Sequence, residues 1–444
     1  MRNLVGSILA GGRLSGVLRN RKALGAASLT VADVAGKAIG FIMTPYLANR
    51  MGAAGFGALN LYVSATEILA FAIFLGGPAL VAAECIRNGY TSARRLRAAS
   101  LRLSIWIVVG LLFISTLVSW CLPSALPLSV GALIVAVSYI QGLNALELSY
   151  YRGSQTYRFA VAGQFAFAAL NVLLTVLAFE FASPTATNRL LSIALAGGVV
   201  QLIYALELRR KHYEHADADT RRTHTSLIIS FGLAVFVHVA SHWVRSSIDR
   251  FVVAGYAGLA AAGVYSVAVT MAMVPSVLFA AVSQQLQPYF YRRLKERDFP
   301  GFGRLQFRYV MAVLGGTALY YIVLLAAFAL LFASEYDGAK QILPALLGGS
   351  VAQSIYYAFT HAAFYERRGG HISSVTGSAL VVHLMGLGVL AAFKEVTPSH
   401  VALVFFVSSV VATLGMAVLS LRTVKQLGRM QTDFPEREEP KSSP

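Results

Sequence analysis

The sequence predicts an all-α integral membrane protein with about twelve transmembrane helices. Of its 444 residues, 57% are hydrophobic and only 13% are charged, whereas a soluble domain carries about 25% charged residues. Apolar stretches of about 20 residues, each long enough to cross a hydrocarbon core, recur along the whole chain. These two observations exclude a water-soluble enzyme, a disordered protein and a single-span receptor.

Twelve spans account for the apolar stretches. They cover residues 27–48, 58–82, 101–122, 126–148, 159–182, 189–208, 227–248, 257–285, 308–333, 341–364, 372–393 and 399–421. The longest polar interruption divides them into two six-helix lobes, which we expect to surround a central cavity. The predicted organisation is a basic leader (1–26), an N-lobe (27–208), a cytoplasmic linker (209–226), a C-lobe (227–421) and a disordered tail (422–444).

The net charge of +17 sets the topology. With the N-terminus in the cytoplasm, 30 of the 37 Lys and Arg residues fall on the cytoplasmic side and Lys37 falls inside a span. The other six are Arg50, Arg189, Arg245, Arg250, Lys340 and Lys394. This asymmetry is what the positive-inside rule requires when both termini are cytoplasmic. Nucleic acid is therefore not needed as a partner to explain the charge.

A short internal similarity supports two parallel repeats. The matching residues, at an offset of 206, are Gly52-Ala53-Ala54 with Gly57 and Gly258-Leu259-Ala260 with Gly263. Both segments lie between the first and second spans of a half. Because both halves begin on the cytoplasmic side, an axis along the membrane normal would relate them.

Polar stripes inside the spans are the candidate transport pathway, since an ionisable side chain at mid-bilayer costs at least ~2.5–3.5 kcal/mol. The stripes contain Asp33 and Lys37 (span 1), Asn60 and Glu67 (span 2), His238, His242, Arg245 and Asp249 (span 7), and Gln353 with His361 (span 10). Span 5 adds the uncharged stripe Gln164, Asn171 and Thr175. Arg50 and Arg250 lie at the outer mouth, and Asp33, Glu67 and His242 could couple transport to protons.

Structural explanations exist for several of these residues. Lys37 could neutralise Asp33 four residues away or form a buried ion pair with Glu67. Arg245 and Asp249 could lie at the membrane interface, where charge costs less. The spacing of His238 and His242 suits zinc, but no third ligand is evident.

No metal site and no cofactor is predicted. His212 and His215 fit a solvated loop, and the isolated His383 fits a packed core histidine. The chain also lacks the phosphate-binding loop and the nucleophile elbow, which argues against a nucleotide-driven pump and a hydrolase.

Several segments resemble one transporter family. They are Gly40-Phe41-Ile42-Met43-Thr44-Pro45-Tyr46-Leu47-Ala48 with the Arg50-Met51-Gly52 that follows, Ser247-Ile248-Asp249-Arg250-Phe251, Gly263-Val264-Tyr265-Ser266, Gln287-Pro288-Tyr289-Phe290-Tyr291, Ile342-Leu343-Pro344 and Phe364-Tyr365-Glu366. Together they resemble the Wzx-type O-antigen flippases, the polysaccharide exporters of the multidrug/oligosaccharidyl-lipid/polysaccharide (MOP) superfamily. The resemblance covers nearly the whole chain and adds Tyr265 to the candidate pathway.

The resemblance implies that the protein flips an undecaprenyl-pyrophosphate-linked oligosaccharide across the bacterial cytoplasmic membrane. The product would be a cell-surface polysaccharide: O-antigen of lipopolysaccharide, capsule or exopolysaccharide. Lys37 and the arginines would hold the diphosphate while amide, hydroxyl and Tyr side chains contact sugars. Implied partners are the lipid-linked oligosaccharide, membrane lipids, a polysaccharide polymerase and chain-length proteins, and the protein itself would not be an enzyme.

Two other functions share some of these features. A cation-coupled multidrug exporter of the same superfamily would also have twelve spans, but the cationic residues of span 1 and the outer mouth favour an anionic substrate. A membrane-embedded glycosyl polymerase would need a sizeable outer loop for its site, and the predicted outer loops are short.

The position of Lys37 near the middle of span 1 generates the first prediction. Lys37→Ala should abolish polysaccharide export while the protein still inserts in the membrane, because the diphosphate would lose a cation. Surface polymer and membrane-fraction protein are measured in parallel, with Lys394→Ala in a predicted outer loop as the control. Normal export by Lys37→Ala would remove Lys37 from the mechanism.

Overall fold

A computed structural model describes residues 21–121, 127–209, 218–366 and 368–433, and almost all of them are helical. We number the helices α1 Arg21–Phe74, α2 Gly77–Arg87, α3 Gly89–Cys121, α4 Leu128–Gly153, α5 Tyr157–Phe181, α6 Ala186–Arg209, α7 Ala218–Lys295, α8 Phe299–Leu331, α9 Ala339–Tyr365, α10 Gly369–Ala392 and α11 Pro398–Asp433. A single 3-10 turn, Ser334–Tyr336, precedes α9. Most of the predicted leader, the centre of the predicted linker with His212 and His215, and the end of the tail lie outside the described residues.

Ten of the described helices are long and apolar enough to cross a membrane, judged by length and composition. Two of them, α1 with 54 residues and α7 with 78, are far longer than one crossing of about 20 residues requires. Each contains one non-helical residue that divides it into two limbs. The ten candidates therefore provide twelve helical segments, and the predicted all-α multi-pass membrane fold is confirmed.

The two dividing residues are glycines with nearly the same backbone geometry. Gly52 has φ 70° and ψ 166°, and Gly258 has φ 86° and ψ 171°. A residue with a Cβ rarely adopts such angles, so glycine allows each chain reversal to use one residue. These are the positions that the 206-residue repeat pairs, so the similarity extends from sequence to conformation.

The described residues pack as two compact units. The first unit contains the described residues of Met1–Met51 and Ala58–Trp243. One of its core clusters brings together Phe74 of α1, Leu146 and Tyr151 of α4, and Tyr204 of α6. On the outside of this unit, α3 exposes Trp106, Phe113 and other large apolar side chains, as a helix in contact with lipid requires.

The second unit contains Gly52–Gly57 and the described residues of Val244–Pro444. Tyr356 of α9 and Met416 of α11 form one core cluster. Phe290 of α7 and Phe302 of α8 form another. The lobe and linker boundaries predicted from sequence stay a prediction.

Some helix ends differ from the predicted spans. Span 2 was predicted to run to residue 82, but α1 ends at Phe74 because Leu75 and Gly76 have positive φ values of 44° and 71°. Pro78 then lies in the first turn of α2, where proline's missing N–H costs nothing. At the other end, α11 continues to Asp433 through part of the predicted disordered tail, because Val424 and Leu427 pack on the cluster of Phe290 and Phe302.

The two repeated segments touch within the second unit through their glycines. A Cβ on Gly57 would overlap the carbonyl oxygen of Leu259, and a Cβ on Gly263 would overlap the carbonyl oxygen of Ala53. The contact is reciprocal, because the 206-residue offset pairs Ala53 with Leu259 and Gly57 with Gly263. Glu335 of the 3-10 turn reinforces it by accepting a hydrogen bond from the Ala53 backbone N–H at 3.3 Å.

We expect Gly57→Ala and Gly263→Ala each to lower the thermal unfolding midpoint of the purified protein. The added methyl group meets backbone atoms, which cannot rotate away, and such overpacking costs about 1–3 kcal/mol. Gly255→Ala is the matched control, since its Cβ would meet nothing within 4 Å. Equal midpoints for all three variants would contradict the close approach.

Candidate functional site

The predicted site residues are distributed over both units, and the structure describes the side chains of all but three of them. The backbones of Asp33 and Lys37 lie in α1 and that of His238 lies in α7, but their side chains are not among those described. Their roles in the pathway and in proton coupling stay predictions.

Arg50 of the first unit is an ion-paired residue. Its Nη2 lies 2.6 Å from Oε2 of Glu180 in α5, and both side chains are nearly half exposed. The Tyr46 hydroxyl donates to the other carboxylate oxygen of Glu180 at 3.1 Å. Glu180 therefore offsets the positive charge that the sequence assigned to the pathway at this position.

Three further predicted residues lie on the first unit's helices. Asn60 is half-buried, whereas Glu67 and His242 are exposed, and all three make interactions within the protein. Next to His242, the indole N–H of Trp243 donates to the Ser64 carbonyl at 2.8 Å, which joins α7 to the second limb of α1.

In the second unit, Asp249 is the centre of a buried polar cluster. It is only 4% exposed. One of its carboxylate oxygens accepts a hydrogen bond from the Tyr265 hydroxyl at 2.9 Å, and the other lies 2.9 Å from Nε2 of His383. The other ring nitrogen of His383 lies 3.2 Å from the Ser408 hydroxyl. Asp249 is therefore buried within the protein, and its position relative to the membrane interface stays a prediction.

The hydroxyl of Ser408 has two neighbouring hydrogen-bond acceptors in this cluster. The Ser408 hydroxyl lies 2.9 Å from the Phe405 carbonyl as well as near His383 Nδ1. When Ser408 donates to His383, the imidazole is neutral and donates only to Asp249. When Ser408 donates to Phe405, both ring nitrogens can donate, which makes His383 an imidazolium beside the carboxylate. One hydroxyl rotation separates the two states.

Arg245 lies one helical turn before Asp249 and has a different kind of partner. Its Nη2 donates to Oε1 of Gln353 in α9, so the structure unites two stripes that the sequence showed separately. Its Nη1 is buried and has no hydrogen-bond partner among the described residues. The side chain is thus oriented by a neutral amide and forms no ion pair with a described carboxylate, although the charge of Asp249 lies one turn away.

The remaining predicted residues of the second unit have more local contacts. Arg250 is half-buried, and its Nη1 lies 3.4 Å from the Ser246 carbonyl one turn earlier. His361 is buried, with Nε2 3.0 Å from the Ser283 hydroxyl and its ring stacked on Phe290 at 4.5 Å. Packing against aromatic residues explains the position of His361.

Two arginines of the first unit differ in their partners: one is paired with a carboxylate and the other donates to neutral side chains. Arg97 of α3 is paired with Glu147 of α4, a carboxylate that is only 1% exposed. Arg189 of α6, by contrast, donates to the side-chain oxygens of Asn171 and Thr175 in α5. Arg97 is neutralised, whereas Arg189 resembles Arg245 in being held by neutral groups.

Sequence reasoning missed some of these residues. His383 was expected to be an isolated core histidine, yet it contacts Asp249, 134 positions earlier in the chain. No local pattern signals a contact over that distance. Arg189 did have a signal, because it follows the Gln164, Asn171 and Thr175 stripe within one helical hairpin, but it was counted only as an outer-loop cation.

The described residues contain no group of three His, Cys, Asp or Glu side chains that could hold a metal ion. The polar groups that these residues do provide are charged side chains and their hydrogen-bond partners. The second unit has a hydrogen-bonded Asp249–His383 pair, and each unit has an arginine that donates to neutral side chains.

The fold resembles solved transporters over most of its length. A multidrug resistance MATE family transporter of the MOP superfamily, in an inward-facing conformation, matches with a TM-score of 0.69 and 15% identity over 88% of this chain and 96% of that one. The lipid II flippase MurJ, in an inward closed conformation, matches with a TM-score of 0.66 and 12% identity over 92% of this chain and 94% of that one. The molecule therefore has the fold of a MOP-superfamily transporter.

Sequence comparison gives the family. The model of the polysaccharide biosynthesis protein family matches residues 23–293, more than half of the chain. Protein 1 of the Lsg locus of Haemophilus influenzae is 20% identical over 385 residues, which cover 82% of this chain and 90% of that protein. The chain belongs to the polysaccharide biosynthesis protein family and is a multi-pass membrane transporter, so the prediction that it is not an enzyme is confirmed.

The buried Asp249 cluster generates a stability prediction. Asp249→Asn should lower the thermal unfolding midpoint, because His383 and Tyr265 would lose their charged acceptor and breaking a buried pair costs about 3–5 kcal/mol. The matched control is Asp337→Asn, whose carboxylate forms an exposed ion pair with Lys340 at 2.6 Å and should contribute little. A similar small shift in both variants would show that Asp249 is not structurally engaged.

Proposed function

We propose that this transporter flips an undecaprenyl-pyrophosphate-linked oligosaccharide from the inner to the outer leaflet of a bacterial cytoplasmic membrane. The cargo would be a repeat unit for a surface polysaccharide, and alternating access of two lobes would carry it. The observation that carries the proposal is Arg245, a guanidinium that an amide orients, that forms no ion pair with a described carboxylate and that has a buried nitrogen without a partner.

The kind of side chain that contacts the Arg245 guanidinium indicates the charge of the cargo. A guanidinium that serves only to join helices is best paired with a carboxylate, as Arg97 is with Glu147, because an uncompensated charge in a low dielectric is costly. Arg245 has no such direct ion pair among the described residues and has a buried nitrogen without an acceptor there. A phosphate can supply both the missing charge and the missing acceptor.

The membrane potential favours the proposed direction. With the cytoplasm negative, moving one negative charge outward gains ~2.3 kcal/mol per 100 mV. A diphosphate could therefore supply part of the driving force itself. Proton coupling through Asp33, Glu67 or His242 would add to it.

A cation-coupled multidrug exporter is the second candidate, and the buried carboxylate of Asp249 is the observation that favours it. Such exporters need a carboxylate that can receive an organic cation. In this structure both oxygens of Asp249 already have partners, Tyr265 and His383, whereas Arg245 has a free buried donor. The electrostatics therefore favour an anionic cargo. Nothing comparable favours a glycosyl polymerase.

Lipid analysis of a deletion strain tests the proposal. Mass spectrometry of the lipid extract should show accumulation of a completed lipid-pyrophosphate repeat unit, together with loss of surface polymer, relative to the parent strain. An unchanged lipid profile with intact surface polymer would contradict the proposal, and increased sensitivity to cationic drugs would then support the multidrug exporter.

Arg245 variants test the observation itself. Arg245→Gln should reduce surface polymer by at least tenfold, because a charge-assisted hydrogen bond contributes about 1.5–3 kcal/mol, and Arg245→Lys should retain part of the export. Lys394→Gln, in a loop after α10, is the control and should export normally. Full export by Arg245→Gln, at wild-type protein levels, would exclude Arg245 from cargo binding.

A further inference from the structure

A cavity inside the first unit contains the second amide-held arginine. Its volume is about 450 Å³, within the range of about 300–1,000 Å³ that is usual for ligand sites. Its walls come from α1, α4, α5 and α6, and most of them are apolar. Five neutral polar residues also line it: Gln141, Asn144, Gln164, Asn171 and Tyr204.

Arg189 provides the charge of this cavity. It lies in the first turn of α6, where the positive end of the helix dipole adds to its own charge. Its Nη1 donates to Asn171 and, at 2.7 Å, to Thr175. Among the described residues, no carboxylate lies within ion-pair distance of Arg189 and none lines the cavity. The described lining therefore has a net positive charge.

On the wall formed by α1, two glycines leave the helix backbone accessible from the cavity. A Cβ added at Gly36 or Gly40 would meet no atom within 4 Å, so both glycines leave space rather than accommodate a neighbouring helix. A ligand can approach α1 closely there. The amides of the facing helices both donate and accept hydrogen bonds, as sugar hydroxyls do.

We propose that this cavity binds a sugar that carries an anionic group, with the anion on Arg189 and the hydroxyls on the amides. The inference rests on the proposed function and deepens it, because it places the acidic part of the glycan in the first unit. The ligand class is defined by two features, an anionic carboxylate or phosphate and several hydroxyl groups. Arg189 would then be a specificity-determining residue that separates acidic from neutral oligosaccharides.

The test is binding of defined probes to the purified full chain in detergent, measured by titration calorimetry. The probes are a glucuronic-acid-containing disaccharide, the methyl ester of the same disaccharide, and farnesyl diphosphate. The ester keeps the hydroxyls and removes the charge. We expect it to bind about tenfold to a hundredfold more weakly than the acid, as the loss of a charge-assisted hydrogen bond predicts.

Two pairs of variants locate the binding. Arg189→Gln should abolish the preference for the acid over the ester, whereas Arg158→Gln, which removes an exposed arginine of the same unit, should retain it. Gly40→Leu should fill the cavity and weaken binding at least tenfold. Gly198→Leu, an exposed α6 glycine whose Cβ would also meet nothing within 4 Å, should bind like the wild type. Unfolding midpoints show that each variant is folded.

Each outcome decides the inference. Binding of the acid that depends on both Arg189 and Gly40 supports it, whereas the same dependence for farnesyl diphosphate alone overturns the sugar site and makes Arg189 a diphosphate-binding residue. Binding unaffected by Arg189→Gln and Gly40→Leu, or no binding of any probe by folded wild-type protein, overturns it. Lipid accumulation in the deletion strain is independent of these titrations, so the proposed function and this inference can fail separately.

Discussion

Hydrocarbon offers no hydrogen-bond partner, and this constraint explains both the backbone and the polar side chains of the molecule. Helices satisfy their own backbone, so α1–α11 account for nearly every described residue. Each polar side chain within them must find a partner in the protein or in the cargo. Arg97 has Glu147, and Asp249 has Tyr265 and His383. The groups left with an uncompensated charge are therefore the ones on which function can act.

The same constraint explains the chain reversals at Gly52 and Gly258. A longer loop between two limbs would add polar backbone at the membrane boundary, whereas a single glycine keeps nearly all hydrogen bonds helical. The two repeats then meet at Gly57 and Gly263, where the missing side chains let backbones approach closely. Small residues are common where membrane helices contact each other, because dispersion forces between close backbones replace the hydrophobic effect.

Sequence reasoning predicted the features that depend on local composition. The twelve segments and the paired glycines follow from apolar length and from a repeat within the chain. Helix ends were less predictable, because hydropathy detects only the part of a helix in lipid and misses extensions such as the one to Asp433. The end of α1 before Pro78 did have a local signal in Gly76, Gly77 and Pro78.

The candidate site was less predictable, because the role of each charged residue depends on which side chains it contacts and not on its residue type alone. Arg50, Arg97, Arg189 and Arg245 are the same amino acid in similar helices, yet two are neutralised by carboxylates and two are not. That difference depends on which helices pack together, over distances such as the 108 positions between Arg245 and Gln353. His383 shows the same limit, since only the fold brings it to Asp249.

An amide partner also suits a site that must release what it binds. A carboxylate in direct contact with Arg245 would compete with the phosphate of the proposed cargo for the guanidinium, and binding would begin with the cost of breaking an ion pair. An uncompensated guanidinium in lipid would be costly too, but an amide reduces that cost by accepting a hydrogen bond while leaving the charge available. Gln353 orients Arg245 through a neutral hydrogen bond. Such an arrangement permits strong but reversible attraction, which the proposed transport of an anion would require in each cycle.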